Sequence, residues 1–162
     1  MKINKYILSD KEYRELMRIA PIITVDVLLF NKDLKKILLF KRKNDPLKNK
    51  YYSCGGRLLK NEGFTDCALR KLKEETGLKI NKNNLRFNGI FNEIWPNSKF
   101  INVNYHAVNI YFLYIMKKEN DISKICLDEQ HSNFKWFNIN NKSIHPIIKD
   151  KIKIIINNEK IE

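Results

Sequence analysis

Between residues 55 and 78 the chain carries Gly55-Gly56-Arg57, a single Glu62, and then Arg70-Lys71-Leu72-Lys73-Glu74-Glu75-Thr76-Gly77-Leu78. Residues three and four apart on a helix share a face, so a helix here gathers positions 71, 74 and 75 on one side. Carboxylates gathered in that way can hold Mg²⁺ or Mn²⁺, hard cations that prefer oxygen ligands and also bridge phosphate oxygens. The two glycines let the backbone come close and offer a carbonyl to the same ion. Arg57 adds a planar, two-pronged donor that matches a diphosphate. A Glu-Glu pair near a helix end is by itself usually a solvated face, so the weight rests on the spacing of the whole set.

The surrounding sequence supplies a frame for these groups. Ser9-Asp10-Lys11-Glu12 reads as the capped start of a short amphipathic helix that stops at Pro21. The Ile-, Val- and Leu-rich run over 22–30 reads as a buried strand, Asn31-Lys32-Asp33 as a turn, and 36–42 as a second strand. Residues 64–76 have apolar positions at three- and four-residue steps, and Gly77 suits the left-handed stop after a helix. Strands are expected over 85–94, 103–116 and 134–137, and a closing helix from Pro146. Strands around one central and one terminal helix imply an α/β/α layer arrangement. Neither an internal repeat nor a linker divides the chain, so one domain over 1–162 is expected.

Composition narrows the partners. Hydrophobic residues make up 43% of the chain, which fits a globular core rather than disorder. Residues 1–7 lack the apolar run of a signal peptide, and no stretch approaches the ~20 apolar residues that cross a bilayer. Cys54, Cys67 and Cys126 are odd in number and lack zinc-like spacing, so a reducing, cytoplasmic setting is expected. The net charge of +13 suits an anionic partner. That partner would be nucleic acid or a phosphorylated small molecule, but Lys, Asn and Ile crowd the whole sequence, which reads first as a residue-usage bias, and the little aromatic interleaving ranks nucleic acid last. Lys151 and Lys153, beside Asn157 and Asn158, read as solvated decoration.

The 55–78 segment closely resembles the Nudix hydrolase signature, Gly-x5-Glu-x7-Arg-Glu-apolar-x-Glu-Glu-x-Gly-apolar. Gly56, Glu62, Arg70, Leu72, Glu74, Glu75, Gly77 and Leu78 match it, while Lys71 stands where the family has a Glu. The resemblance implies a Nudix α/β/α sandwich with a mixed central sheet and a divalent cofactor, Mg²⁺ or Mn²⁺. A Lys at position 71 places positive charge beside Glu74 and Glu75 and should weaken a multi-metal cluster.

Outside that box, Pro21-Ile22-Ile23-Thr24-Val25-Asp26, Leu38-Leu39-Phe40-Lys41-Arg42, Gly55-Gly56-Arg57 and Leu127-Asp128-Glu129-Gln130-His131 resemble the GDP-mannose mannosyl hydrolase branch. That branch also lacks the Glu at position 71 and cleaves at the anomeric carbon, releasing GDP and free sugar. The resemblance implies Glu75, Gln130 and the Gly55 carbonyl as metal ligands, with Glu74 as an extra carboxylate. It implies His131 as general base, Arg42 and Arg57 as stabilisers of the departing GDP, and Asp26 as a sugar contact. His106 stands in for a Tyr that usually donates to the diphosphate, and the branch is typically a homodimer. Chemically the set is consistent: His titrates near ~6.5, and a metal ion with two arginines can neutralise a diphosphate.

Three functions are therefore expected in order. The first is a Mg²⁺-dependent hydrolase of GDP-linked sugars. The second is a Nudix pyrophosphohydrolase that cleaves a phosphoanhydride of a nucleoside triphosphate or nucleotide sugar, with Glu74, Glu75 and Glu129 as ligands. The third is a weakened Nudix domain that binds nucleotide or RNA as a regulator.

Overall fold

In the computed structural model, residues 7–117 and 119–159 are described; of the N-terminal stretch 1–7 read above as lacking a signal-peptide run, 1–6 lie outside that range. Chain order begins with helix α1 (Asp10–Ile19), then strands β1 (Ile22–Phe30), β2 (Lys36–Arg42), β3 (Tyr51–Tyr52) and β4 (Cys54–Arg57). Helix α2 (Phe64–Thr76) follows, then β5 (Leu85–Trp95), β6 (Tyr105–Ile115), β7 (His131–Asn138) and helix α3 (Pro146–Glu159). Short 3₁₀ turns cover Lys82–Asn84 and Glu119–Lys124. The α1 start is the expected capping box, with Ser9 Oγ accepting from the Glu12 amide and Glu12 bonding back to the Ser9 amide.

The strands form one seven-stranded sheet, in the order β3-β2-β1-β6-β5 with β4 also on β1 and β7 on β2. β1 and β6 run parallel and every other pairing is antiparallel, so the sheet is mixed. β1 reads as one apolar run because both of its faces are covered. Val25, Val27 and Leu29 pack on the α2 side, with Cys67, Ala68 and Leu72. Leu28 and Phe30 pack on the α3 side, with Ile148, Ile152 and Ile155. Because side chains alternate along a strand, Thr24 and Asp26 face the α3 side of β1. That alternation decides which polar groups meet.

Several element bounds shift from the sequence expectation. The Gly55-Gly56 pair lies within a strand, β4, in register with Asp26 and Val25. β7 starts at His131, three residues before the expected strand, because its early residues continue the ladder with Arg42 and Lys41 across a bulge.

Candidate active site

The box folds around an internal brace. Arg70 donates from Nε to Glu62 Oε1 at 2.6 Å and from Nη2 to Glu62 Oε2 at 2.7 Å. The same Nη2 also donates to the Arg57 carbonyl at 3.1 Å, and the Leu59 amide donates to Glu62 Oε2 at 3.0 Å. Burial pushes the Glu62 carboxyl up, but the Arg70 and Leu59 hydrogen bonds outweigh it and hold the group below its usual range. Beside this pair, burial and the Glu62 charge push the Cys67 thiol up to about 12, so it stays protonated. Glu62 and Arg70 therefore lock the 57–62 turn onto α2.

One turn further along α2, Glu75 is buried and reaches across to β4. Its Oε2 accepts from the Gly55 amide at 3.0 Å, and its Oε1 lies 2.8 Å from Lys71 Nζ. Lys71 Nζ also sits 3.3 Å from Glu74 Oε2, and Glu74 is half exposed. Burial raises the Glu75 carboxyl, with Lys71 pulling against that rise most strongly. The stem of Lys71 runs over Gly56, where an added Cβ would come within 2.6 Å of Lys71 Cε. The residue that departs from the signature is thus the cation paired with Glu75, and it shares Glu74 with Arg70.

These groups open onto a cavity of about 590 Å³ between α1, the sheet and the 42–48 loop. Its rim carries Arg42, Lys43, Lys48, Arg57, Lys71 and Lys99. Arg42 is steadied by donating from Nε to the Pro46 carbonyl at 2.9 Å. The Arg57 guanidinium lies over the Tyr13 ring at 4.6 Å, and its Nη1 is buried with no hydrogen-bond partner among the described residues. A buried, unsatisfied guanidinium nitrogen beside a cavity is a donor available to an anion. Trp95 and Tyr105 add aromatic walls.

The floor is different in character. Thr24, Asp26, Ser53, Tyr52, Glu93 and Asn109 all line it. Ser53 Oγ donates to Asp26 Oδ2 at 2.7 Å, Tyr52 donates to Glu93 Oε1 at 3.0 Å, and Asn109 Nδ2 donates to Thr24 Oγ1 at 2.9 Å. At their centre is Lys151, fully buried, with Nζ 2.7 Å from Glu93 Oε1, 2.7 Å from Asn109 Oδ1 and 3.6 Å from Asp26 Oδ2. The reading of Lys151 as solvated decoration is corrected here. It lies on the inward face of α3 beside Ile148, Ile152 and Ile155, while Lys153 is exposed and pairs locally with Asp150. Burial raises the Glu93 carboxyl against the opposing pull of Lys151, and burial with the Glu93 charge raises the Tyr52 hydroxyl well above its usual value.

The remaining expected residues divide. Gln130 lines the cavity. Its loop is tied to the end of α2 by the Cys126 amide on the Thr76 carbonyl at 2.9 Å and the Asp128 amide on the Glu75 carbonyl at 3.4 Å. His131 is buried at the start of β7 rather than exposed on a loop. Its Nδ1 lies 2.9 Å from Asp128 Oδ1, while Nε2 is buried with no partner among the described residues. It packs edge-on against Phe40 and does not line the cavity. His106 bonds Asn92 at 2.8 Å and is also outside the lining. A one-residue step along β6 reverses the face, so Tyr105 and Asn109 meet the cavity and His106 does not. His145 directly precedes α3, its Nδ1 accepting from the Ile147 amide at 3.3 Å. Tyr105, Glu93, Asn109 and Lys151 are the residues that the sequence did not single out.

Among the described residues there is no group of three or more His, Cys, Asp or Glu side chains placed to hold a metal ion. Gln130 and Gly55 line the cavity, and their oxygens with the Glu75 carboxylate are a donor set of the kind a hard cation takes. Glu75 itself is engaged by Lys71 and by the Gly55 amide, so an ion on it would have to draw Lys71 away, and an ion shared with Glu74 would also have to displace Arg70. Among the described residues no helix is long and apolar enough to cross a membrane.

The NUDIX domain family model matches residues 20–155. Over 143 residues, 88% of this chain and 86% of the relative, the chain is 24% identical to the low-salt glycan biosynthesis protein Agl8 of Haloferax volcanii. It is 41% identical to an ADP-ribose pyrophosphatase of Methanocaldococcus jannaschii over 68 residues, 42% of this chain and 38% of that protein's length. Among solved structures, a MutT protein from Methanosarcina mazei superposes with a TM-score of 0.67 at 18% identity, covering 88% of this chain and 98% of that one.

Proposed function

The chain belongs to the NUDIX domain family, and on that premise we propose that it hydrolyses nucleotides whose diphosphate carries a hydroxyl-rich group. In the leading reading water attacks within the diphosphate. The observation that carries this is the polarity of the cavity, with arginines and lysines at the rim and Asp26, Glu93 and Asn109 at the floor. A nucleoside triphosphate would set its terminal phosphate against two carboxylates. A sugar or ribose would instead meet acceptors and donors matched to its hydroxyls. The M. jannaschii relative, an ADP-ribose pyrophosphatase, points to the same substrate class.

Each residue then has a task. Arg42 and Arg57 grip the diphosphate from two sides, with the free Arg57 Nη1 as an unspent donor. Lys71 presents its ammonium to the same cavity. Glu75, Gln130 and the Gly55 carbonyl would hold one Mg²⁺ or Mn²⁺, and that ion would supply charge neutralisation of the diphosphate. Trp95 and Tyr105 exclude water along the walls. The fixed cations complement charge that grows on the leaving phosphate, which is where preorganised groups lower a barrier.

A second reading has water attacking the anomeric carbon of a GDP-linked sugar with His131 as base. It is favoured by Lys71 in place of the box Glu and by the Asp128–His131 pair, which leaves Nε2 without a partner. The test is incubation with ADP-ribose or GDP-mannose and Mg²⁺ in ¹⁸O-labelled water, followed by mass spectrometry. Label in a nucleoside monophosphate or sugar phosphate supports attack at phosphorus. Label in free sugar with unlabelled nucleoside diphosphate selects the second reading. No turnover of either substrate, and none across a panel of nucleotide sugars, overturns both.

A further inference from the structure

Lys151 has no simple place in a hydrophobic helix face. Its neighbours on that face are Ile148, Ile152 and Ile155, and a Met or Leu would fill the same volume without taking a charge out of water. A buried ammonium is tolerated only when its hydrogens are met by partners in good geometry. Here three strands supply them: Glu93 from β5, Asn109 from β6 and Asp26 from β1. The rings of Tyr52, Phe91 and Tyr111 enclose the group, with centroids 5.7, 5.7 and 5.4 Å from Nζ.

All three polar partners line the cavity, whereas Lys151 does not. It therefore acts from behind the floor. The contact to Asn109 Oδ1 fixes which way that amide faces, because Asn109 Nδ2 is already committed to Thr24 Oγ1. Glu93 receives both Lys151 and Tyr52 on Oε1. Its other carboxylate oxygen is then the one a ligand hydroxyl would meet. Without the ammonium, Glu93 and Asp26 would be two buried carboxylates in one small space, each left with a single hydroxyl donor, Tyr52 and Ser53 respectively.

We propose that Lys151 is a positioning residue for the hydroxyl-rich group of the substrate, holding Glu93 and Asn109 as the hydrogen-bond partners of its ring hydroxyls. The inference rests on the reading above that the diphosphate carries such a group. A site built to pair hydroxyls loses much of its discrimination once its polar groups can turn away. A nucleoside diphosphate without the sugar has nothing at the floor and should not sense the change.

The experiment compares the wild type with Lys151→Met. It reads kcat/KM for whichever of ADP-ribose and GDP-mannose the wild type turns over, and calorimetric Kd for ADP and GDP. The expected result is a fall of about 30-fold or more in kcat/KM with the nucleoside diphosphate Kd changed by less than about twofold. Should Lys151→Met fail to fold, Lys151→Gln, which removes the charge but keeps a polar head at the same place, should show the same split. An equal loss on both ligands, or no loss on either, overturns Lys151 as a positioning residue and leaves the proposed function standing. A wild type that neither turns over nor binds either nucleotide sugar overturns that function and this inference with it.

Discussion

Lys71 Nζ lies 2.8 Å from Glu75 Oε1, an ion pair in which Glu75 is almost fully buried and Lys71 lines the active-site cavity. At the signature position where a carboxylate would add negative charge, this chain has installed a cation that cancels it. That positive charge opposes the gathering of several divalent ions on the box. Lys71→Glu would place three carboxylates on one helix face, at 71, 74 and 75. That variant is expected to bind a second Mn²⁺, counted by electron paramagnetic resonance titration. The wild type is expected to saturate at one, and a wild type that binds two or more would show that Lys71 yields its place.

The glycine pair separates a backbone requirement from a side-chain one. A Cβ on Gly55 would stand 2.2 Å from Asp26 Oδ1 and 2.4 Å from the Val25 carbonyl, so the β1–β4 ladder would have to open. Gly55→Ala is expected to lose about 1–3 kcal/mol of stability, as overpacking in a closed core does. A Cβ on Gly56 meets only the far end of Lys71, at 2.6 Å, and that side chain can swing away. Gly56→Ala should therefore unfold close to the wild-type temperature while altering metal affinity. Thermal denaturation of the two variants checks the order.

Acid stability should follow the Glu62–Arg70 brace. The folded Glu62 carboxyl sits below its ordinary value, because Arg70 and the Leu59 amide outweigh the effect of burial. A carboxylate of lowered pKa adds stability that is present above its unfolded value near 4.5 and is lost as pH falls through the lower folded value. Glu62→Gln is expected to lower stability at pH 7 by about 1.5–3 kcal/mol, the range for hydrogen bonds to charged groups. The gap between variant and wild type should narrow between pH 5 and pH 3, read from urea unfolding. A gap that stays constant with pH would remove the ionised carboxylate as its cause.

Arg57 offers a test of substrate grip. Its guanidinium is held against Tyr13 and keeps one buried nitrogen unpartnered, so it is ready before ligand arrives. Arg57→Lys keeps the charge but loses the planar fork. It is expected to weaken ADP or GDP binding by about 10-fold, and Arg57→Ala by about 100-fold, from the energy of charge-assisted hydrogen bonds. Calorimetry on the two variants measures this without any need for turnover.

The box and the three helices were legible because their signals are local: apolar period, caps, glycines and fixed carboxylate spacing; the mixed sheet was implied only by the family resemblance that the box carries. The cavity floor was not. Asp26 signalled itself as a carboxylate inside an apolar strand that must have a partner, and Ser53 and Lys151 are those partners. Lys151 is 125 residues away in sequence, on a helix whose other lysines, Lys149 and Lys153, are half-buried and exposed, so residue type alone did not mark it as the buried one. A sharper signal was present in its spacing: position 151 falls between Ile148, Ile152 and Ile155, where the helical period demands an inward residue. His106 misled for the opposite reason, since in a strand a shift of one residue reverses the face and gives the cavity to Tyr105.

His131 decides between the two chemistries. It is buried against Phe40, fixed through Nδ1 by Asp128, and joined by the backbone to Gln130 at the cavity edge. If water attacks carbon with this imidazole as base, His131→Gln should lower kcat by about 10²–10⁴-fold with little change in KM, the range for loss of a general base. If attack is at phosphorus and the pair only ties β7 to the end of α2, His131→Gln should instead lower the unfolding temperature and leave the pH profile in place. Asp128→Asn separates the cases once more. It disturbs the tautomer and tilt of the ring while keeping its volume, so a base role predicts a kcat defect in a protein that remains folded. Measuring both variants by pH-dependent kinetics and thermal denaturation, with product labelling alongside, assigns the imidazole to chemistry or to structure.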